Sequence, residues 1–157
     1  MRIFLDTEFT DFINIDLISI AMVSEDGQHE FYAERNDYRD DFCNAFVRVA
    51  VLPLLGTLPR MVVNRDELAL NLREWFDTLP PWFILLSEHG VDYELLMDAL
   101  DGKRPENLAS IEGAEAINYD EVCRYHAEPN QPWHHALHDA RALRVGWLTR
   151  QHKKRRL

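Results

Sequence analysis

Ile3-Phe4-Leu5-Asp6-Thr7-Glu8 is the stretch on which the reading of this chain turns. Three large apolar residues form a short buried strand, and two acids one residue apart close it. Alternate side chains of an extended strand point to the same face, so Asp6 and Glu8 project together. Like charges held that close repel, and burying them without a counter-charge is costly. A divalent cation between them removes the conflict, and hard oxygen ligands suit Mg²⁺ or Mn²⁺. Two acids solvated where a strand enters a loop fit the same six residues, so the rest of the chain has to decide.

Outward from this first strand, Arg2–Leu5, the segments Leu17–Ser24 (LISIAMVS) and Gln28–Glu34 read as strands. Asp26-Gly27 between them is a hairpin signal. The chain therefore opens as a three-strand antiparallel meander. A helix is expected over Asp40–Leu52, stopped by Pro53. A stronger one is expected over Asp66–Leu79, where Leu68, Leu72, Trp75, Phe76 and Leu79 recur at helical spacing before Pro80-Pro81. Trp82–Leu86 (WFILL) suits a buried central strand. Tyr93–Leu100 reads as a short helix, Ala109–Ile117 as the region of one more strand, and His135–Gln151 as the last helix. Strands first, then strands alternating with helices, predict an α/β fold with a mixed sheet of five to six strands flanked by helices. Residues 1–157 fit one domain.

Acids outnumber bases 27 to 17, a net charge of −10, which argues against clamping duplex nucleic acid through a broad basic surface. It leaves room for an enzyme that holds a few nucleotides through cations. The concentrated basic segment is Lys153-Lys154-Arg155-Arg156. Favourable charge at a helix C-terminus is its first reading; a contact for phosphates outside the catalytic pocket is the second. No apolar run is long enough to span a bilayer, and the N-terminus lacks a signal-peptide layout. A cytoplasmic protein with no membrane partner is expected. Cys43 and Cys123 have no metal-type spacing and read as reduced structural thiols.

Three more segments belong with Asp6 and Glu8. Asp92 follows Glu88-His89-Gly90-Val91 directly after the WFILL strand. It stands at the mouth of a helix, where Asp is a favoured cap, and at the carboxyl end of a strand, where open α/β sheets place ligands. Asp139 lies inside the apolar stripe Ala136, Ala140, Leu143 and Trp147, on the face that packs against a core. His134 precedes Asp139 by five positions, which on one helix turns the two side chains roughly 140° apart. His134 therefore reaches the same centre only from the loop entering the helix, a placement Pro132 supports. A loop histidine beside a cation site can act as a general base near neutral pH.

Asp-x-Glu in the first strand, Asp92 at a helix mouth and His134-x-Ala136-x-x-Asp139 resemble the three motifs of the DEDDh 3′–5′ exonucleases. That family belongs to the ribonuclease H-like superfamily and includes proofreading exonucleases, ribonuclease T and oligoribonuclease. The motifs stand in family order and span nearly the whole chain. Asp6-Thr7-Glu8-Phe9-Thr10-Asp11, Phe31-Tyr32-Ala33-Glu34 and His134-His135-Ala136-Leu137-His138-Asp139-Ala140-Arg141-Ala142-Leu143 further resemble the small bacterial exoribonucleases related to the mycobacterial adenylate-specific enzyme. The chain departs from many relatives in carrying Glu88-His89-Gly90 where His-Asn precedes the middle Asp, and His135 where Asn follows the catalytic His. Glu88 competes with Asp92 as the middle acid; the Tyr93-x-x-Leu96 pattern favours Asp92.

The resemblance implies a ribonuclease H-like fold and two divalent cations, Mg²⁺ or Mn²⁺, about 4 Å apart. By the same resemblance Asp6 bridges them, Glu8 and Asp139 complete one, Asp92 holds the other, and His134 takes the proton from the attacking water. Thr7, Phe9 and Thr10 follow the acids and are expected to line the pocket of the terminal nucleotide. Phe9 offers it a stacking face, though a core aromatic has the same spacing. The expected substrate is single-stranded RNA cut from its 3′ end. A DNA exonuclease or oligonucleotide trimmer shares these motifs, because telling ribose from deoxyribose takes contacts to the 2′-OH. A catalytically weak RNA-binding module keeps the fold without turnover. A homodimer is a further implication of the resemblance.

Overall fold

The computed structural model describes residues 1–57 and 61–154. Strand β1 (Arg2–Phe9) runs beyond its expected end and takes both acids into the sheet. It pairs antiparallel with β2 (Leu17–Ser24), which pairs antiparallel with β3 (Glu30–Arg35), so the opening meander forms as expected. The turn between β2 and β3 is set by Asp26 and Gly27. The Asp26 carboxylate accepts from the Ser24 hydroxyl at 2.5 Å and from the Gln28 N–H at 2.9 Å, and Gly27 adopts φ +73°, which a side chain would strain. Short β4 (Val62–Val63) lies parallel to β3, β5 (Phe83–Ser87) parallel to β1, and β6 (Leu108–Glu112) parallel to β5. The sheet is mixed and six-stranded, in the order β4-β3-β2-β1-β5-β6.

Both faces of the sheet are covered, which is why every residue of β2 is buried. Helices α2 (Arg65–Asp77) and α3 (Gly90–Ala99) cover one face, with Ile3 and Leu5 of β1 packed among Leu72, Phe76 and Leu96. Helix α5 (Ala136–Lys154) covers the other, where Phe4 meets Leu86, Leu143 and Trp147. Small Ala136 and Ala140 bring the start of α5 down onto Ala21 and Val23. The register of β5 positions the site. Ser87 pairs with Leu5 and the ladder ends there, so Asp6 onward extends past β5 with that flank of β1 unpaired.

Several boundaries differ from the sequence reading. The helix expected over Asp40–Leu52 breaks into a 3₁₀ turn Asp40–Phe42, helix α1 (Ala45–Ala50) and a second 3₁₀ turn Leu52–Leu54. Asn44 causes the break: its side chain accepts from Val47 N–H and starts α1 afresh. The last strand ends at Glu112 rather than reaching Ile117. Helix α4 (Tyr119–His126) and strand β4 have no counterpart in the sequence reading. Helix α4 docks on α5 at Gly146, where a Cβ would meet Ile117, the Asn118 carbonyl and Val122 at 2.7–3.0 Å. Cys43 and Cys123 are both free thiols. No helix among the described residues is long and apolar enough to cross a membrane. Of the basic tail, Lys153 and Lys154 close α5, and Arg155 and Arg156 lie outside the described residues.

Leu72 is wholly buried between α2 and the sheet, away from the strand ends. Leu72→Ala should therefore destabilise the fold by about 2–5 kcal/mol, read as a lower urea midpoint with an unchanged slope.

Candidate metal centre

The alternation of β1 distributes its polar end between the two faces of the sheet. Asp6 and Glu8 follow Phe4 toward α5, and Thr7 follows Leu5 toward α3. On the α5 side, one carboxylate oxygen from each of Asp6, Glu8 and Asp139 lies within 4.8 Å of the others. On the α3 side, the Thr7 hydroxyl donates to Asp92 Oδ1 at 2.6 Å. Asp92 Oδ2 accepts the His89 N–H at 3.2 Å, reaching back from the first turn of α3 to the backbone before it. Asp92 thus does the helix-mouth work expected of it, one turn inside the helix rather than in front, and lies outside the Asp6, Glu8 and Asp139 group.

Asp139 stands in the first turn of α5. Its Oδ2 accepts the His135 N–H at 2.9 Å, which satisfies one of the free donors at the helix start. The apolar stripe around it packs as expected, with Ala136, Ala140, Leu143 and Trp147 all buried. His134 lies on the loop before the helix, with a left-handed backbone at φ +61°. Such a conformation is uncommon and strained for a residue other than glycine. The His134 ring meets Phe46 edge to face at 4.8 Å.

These parts open into a cleft of about 570 Å³, lined among others by Asp6, Glu8, Phe9, Glu88, His134 and Asp139. Thr7 reaches the lining too, although it is nearly buried and its hydroxyl is taken by Asp92. Thr10 does not. It is fully buried, donates to the Asn14 carbonyl at 2.6 Å and accepts from Asp16 N–H at 2.9 Å, so it shapes the loop after β1 instead of facing the cleft. Phe9 packs edge to face with Phe12, which is itself 78% exposed on the rim.

The acids perturb one another. Burial first, and then repulsion from Asp139, Asp92, Glu8 and Glu88, holds the Asp6 carboxyl well above the usual carboxylate range. Asp6 keeps some surface open to the cleft, yet protein atoms crowd it enough that lost hydration is the leading cause. Glu8 is pushed up to about 8, again by burial and then by Asp139 and Asp92. Burial also raises Asp92, against the opposing hydrogen bonds from Thr7 and His89. Asp6 and Glu8, which resist ionisation, converge with Asp139 into the oxygen donor set that a hard divalent cation takes, so the residues fit Mg²⁺ or Mn²⁺.

The sequence reading missed His126, the last residue of α4. Its side chain is fully buried and its Nε2 lies 3.1 Å from Asp139 Oδ1. It also missed the cleft-lining aromatics Phe12, Phe46, Tyr119 and Trp133. Tyr119, Val122, Cys123 and His126 recur at helical spacing, so a short helix was readable here, but spacing alone does not tie His126 to Asp139. No family model matches the chain, and no curated protein matches it.

The Glu8 shift has a direct consequence for stability. Its carboxyl titrates near 8 in the folded protein against 4.5 when unperturbed. Between those values the folded state holds the extra proton, so stability is lost as pH rises through the window. In EDTA the melting temperature should fall from about pH 5 to pH 8. Mn²⁺ should reverse most of the fall, and Glu8→Gln should make it shallower, the remainder coming from Asp6. A metal-free melting temperature that rises over this range contradicts the assignment.

Proposed function

We propose that this protein is a metal-dependent 3′–5′ exoribonuclease with a ribonuclease H-like fold. The observation that carries the proposal is the convergence of Asp6, Glu8 and Asp139 within 4.8 Å on the wall of an open cleft that also holds His134. The unpaired end of β1 beside β5 supports it, because α/β sheets place ligands outside the carboxyl ends of their strands. The net charge of −10 agrees with a substrate held through cations at one end rather than along a basic surface.

Asp6, Glu8 and Asp139 would hold one divalent cation, and Asp92, whose oxygens already accept from Thr7 and the His89 N–H, would serve a second through water. When bound, the pair supplies charge stabilisation for the attacking and leaving oxygens of phosphodiester hydrolysis. The protein's own groups do the rest. His134 takes a proton from the water that attacks phosphorus as the bond to the 3′-oxygen breaks. Thr7 and the His89 N–H orient the Asp92 carboxylate. Phe9 and Phe12 offer apolar ring surface to the terminal base, a contact that tolerates any base because each has a π-face.

Incubation of the purified chain with 5′-labelled single-stranded RNA and Mn²⁺ should shorten the label stepwise and release mononucleotides. RNA retained without release identifies a binding module, and equal or faster loss of DNA identifies a DNA exonuclease. Asp6→Ala and Asp139→Ala should abolish release while the fold persists. Turnover surviving in folded Asp139→Ala contradicts its role as a ligand. Asp92→Asn should cost more activity than Glu88→Gln, and the reverse order names Glu88 as the middle acid.

His134→Ala should lower kcat by about 10²-fold, the usual scale for loss of a general base, with little change in melting. His135→Ala should do the opposite. The His135 ring is buried and stacks on Tyr32 at 4.9 Å, so its loss should lower the melting temperature and leave kcat close to wild type.

A further inference from the structure

Behind the cleft wall the ring of His126 is fixed by three neighbours. Its Nδ1 lies 3.0 Å from the Gln131 carbonyl oxygen. Its face stacks on Trp133 at 3.8 Å and 23°, and Tyr125 meets it edge to face at 5.2 Å. The side chain is fully buried, yet Nε2 forms no hydrogen bond to any described group. It sits instead 3.1 Å from Asp139 Oδ1, at the distance of an ion pair but off the line of a hydrogen bond. A buried polar atom left without a partner is costly. Packing against Trp133 and Tyr125 needs only the ring, so the nitrogen facing Asp139 calls for a reason of its own.

The reason lies in what surrounds Asp139. Asp6 and Glu8 repel its carboxylate, and one hydrogen bond from the residue just before its helix, His135 N–H to Oδ2, holds it against them. His126 comes from a different helix and meets the other oxygen. Contacts from two elements stop the carboxylate from turning about its last torsion. A ligand fixed beforehand costs a cation less ordering on binding.

We propose that His126 is a positioning residue for Asp139, keeping that carboxylate turned into the acidic cluster. The proposal rests on the reading of Asp6, Glu8 and Asp139 as a cation site. Groups that orient metal-ligating carboxylates typically govern roughly 10–100-fold in metal affinity or activity, and His126 is assigned an effect of that size.

The test uses the full chain, with Mn²⁺ alone as the calorimetric probe and single-stranded RNA for turnover. His126→Phe keeps the ring stack on Trp133 and removes both nitrogens, so it also loses the Nδ1 contact to the Gln131 carbonyl. It should stay folded with a modestly lower melting temperature, bind Mn²⁺ at least about 10-fold more weakly, and lose kcat by a similar factor with KM for RNA unchanged. His126→Gln returns a side-chain N–H of similar reach and should recover most of both losses. Wild-type Mn²⁺ affinity in folded His126→Phe overturns the proposal. Should the Phe variant fail to fold, His126→Asn takes its place, since its amide falls short of Asp139. Tight binding by the Gln variant with weak binding by the Asn variant supports positioning, and equal affinities overturn it. Asp139→Asn separates the two readings. If it binds Mn²⁺ as wild type does, the cation site fails and the positioning role with it. If it alone loses Mn²⁺ while His126→Phe keeps it, only the positioning role falls.

Discussion

Everything in the candidate site follows from placing like charges on one side of a single strand. Asp6 and Glu8 share a face because β1 stays extended through Phe9. That face turns toward α5 because Phe4, two residues earlier, packs against Leu143 and Trp147. Asp139 then arrives from the same direction, since the stripe that docks α5 fixes the rotation of the helix. A slip of one residue in the register of β1 would send both acids to the α3 side and Thr7 toward Asp139. The hydrophobic pattern that builds the core therefore also aims the charges.

The same alternation explains why the fourth acid stands apart. Thr7 faces α3 and binds Asp92, so the strand separates the acids into a converging group and one hydrogen-bonded outlier. The two environments differ physically. Asp139 sits at the edge of an open cleft with one oxygen held by a backbone donor. Asp92 is buried, and each of its oxygens already accepts a hydrogen bond.

How much was legible in the sequence depends on how each element is stabilised. Strands β1 and β2 and helices α2 and α5 carry long apolar patterns, and these were readable to within a few residues. The acids Asp6, Glu8 and Asp139 were readable because each interrupts such a pattern, and His134 because its spacing from Asp139 required a loop. Helix α1 was misread because Asn44 caps a new helix inside an apparently continuous one. Strand β4 is two residues long, and α4 is eight. Elements this short are held by neighbours distant in sequence. His126 was invisible for the same reason, since its meaning comes from Gln131, Trp133 and Asp139 around it. Thr10 was misplaced because adjacency to the acids says nothing about direction, and the chain bends into a loop directly after β1.

Gly146 ties the seating of α4 to a single missing methyl group. Helix α4 reaches its seat only because the surface of α5 is bare at that point. The two helices are joined by the loop that carries Trp133 and His134, and that loop closes over the start of α5. Asp6 and Asp139 lie at opposite ends of the chain, so the repelling carboxylates stay apart until α5 settles on the sheet. Docking α5 therefore brings a third charge up to the two that β1 already holds, and the apolar contacts of Phe4 with Leu143 and Trp147 act against that repulsion.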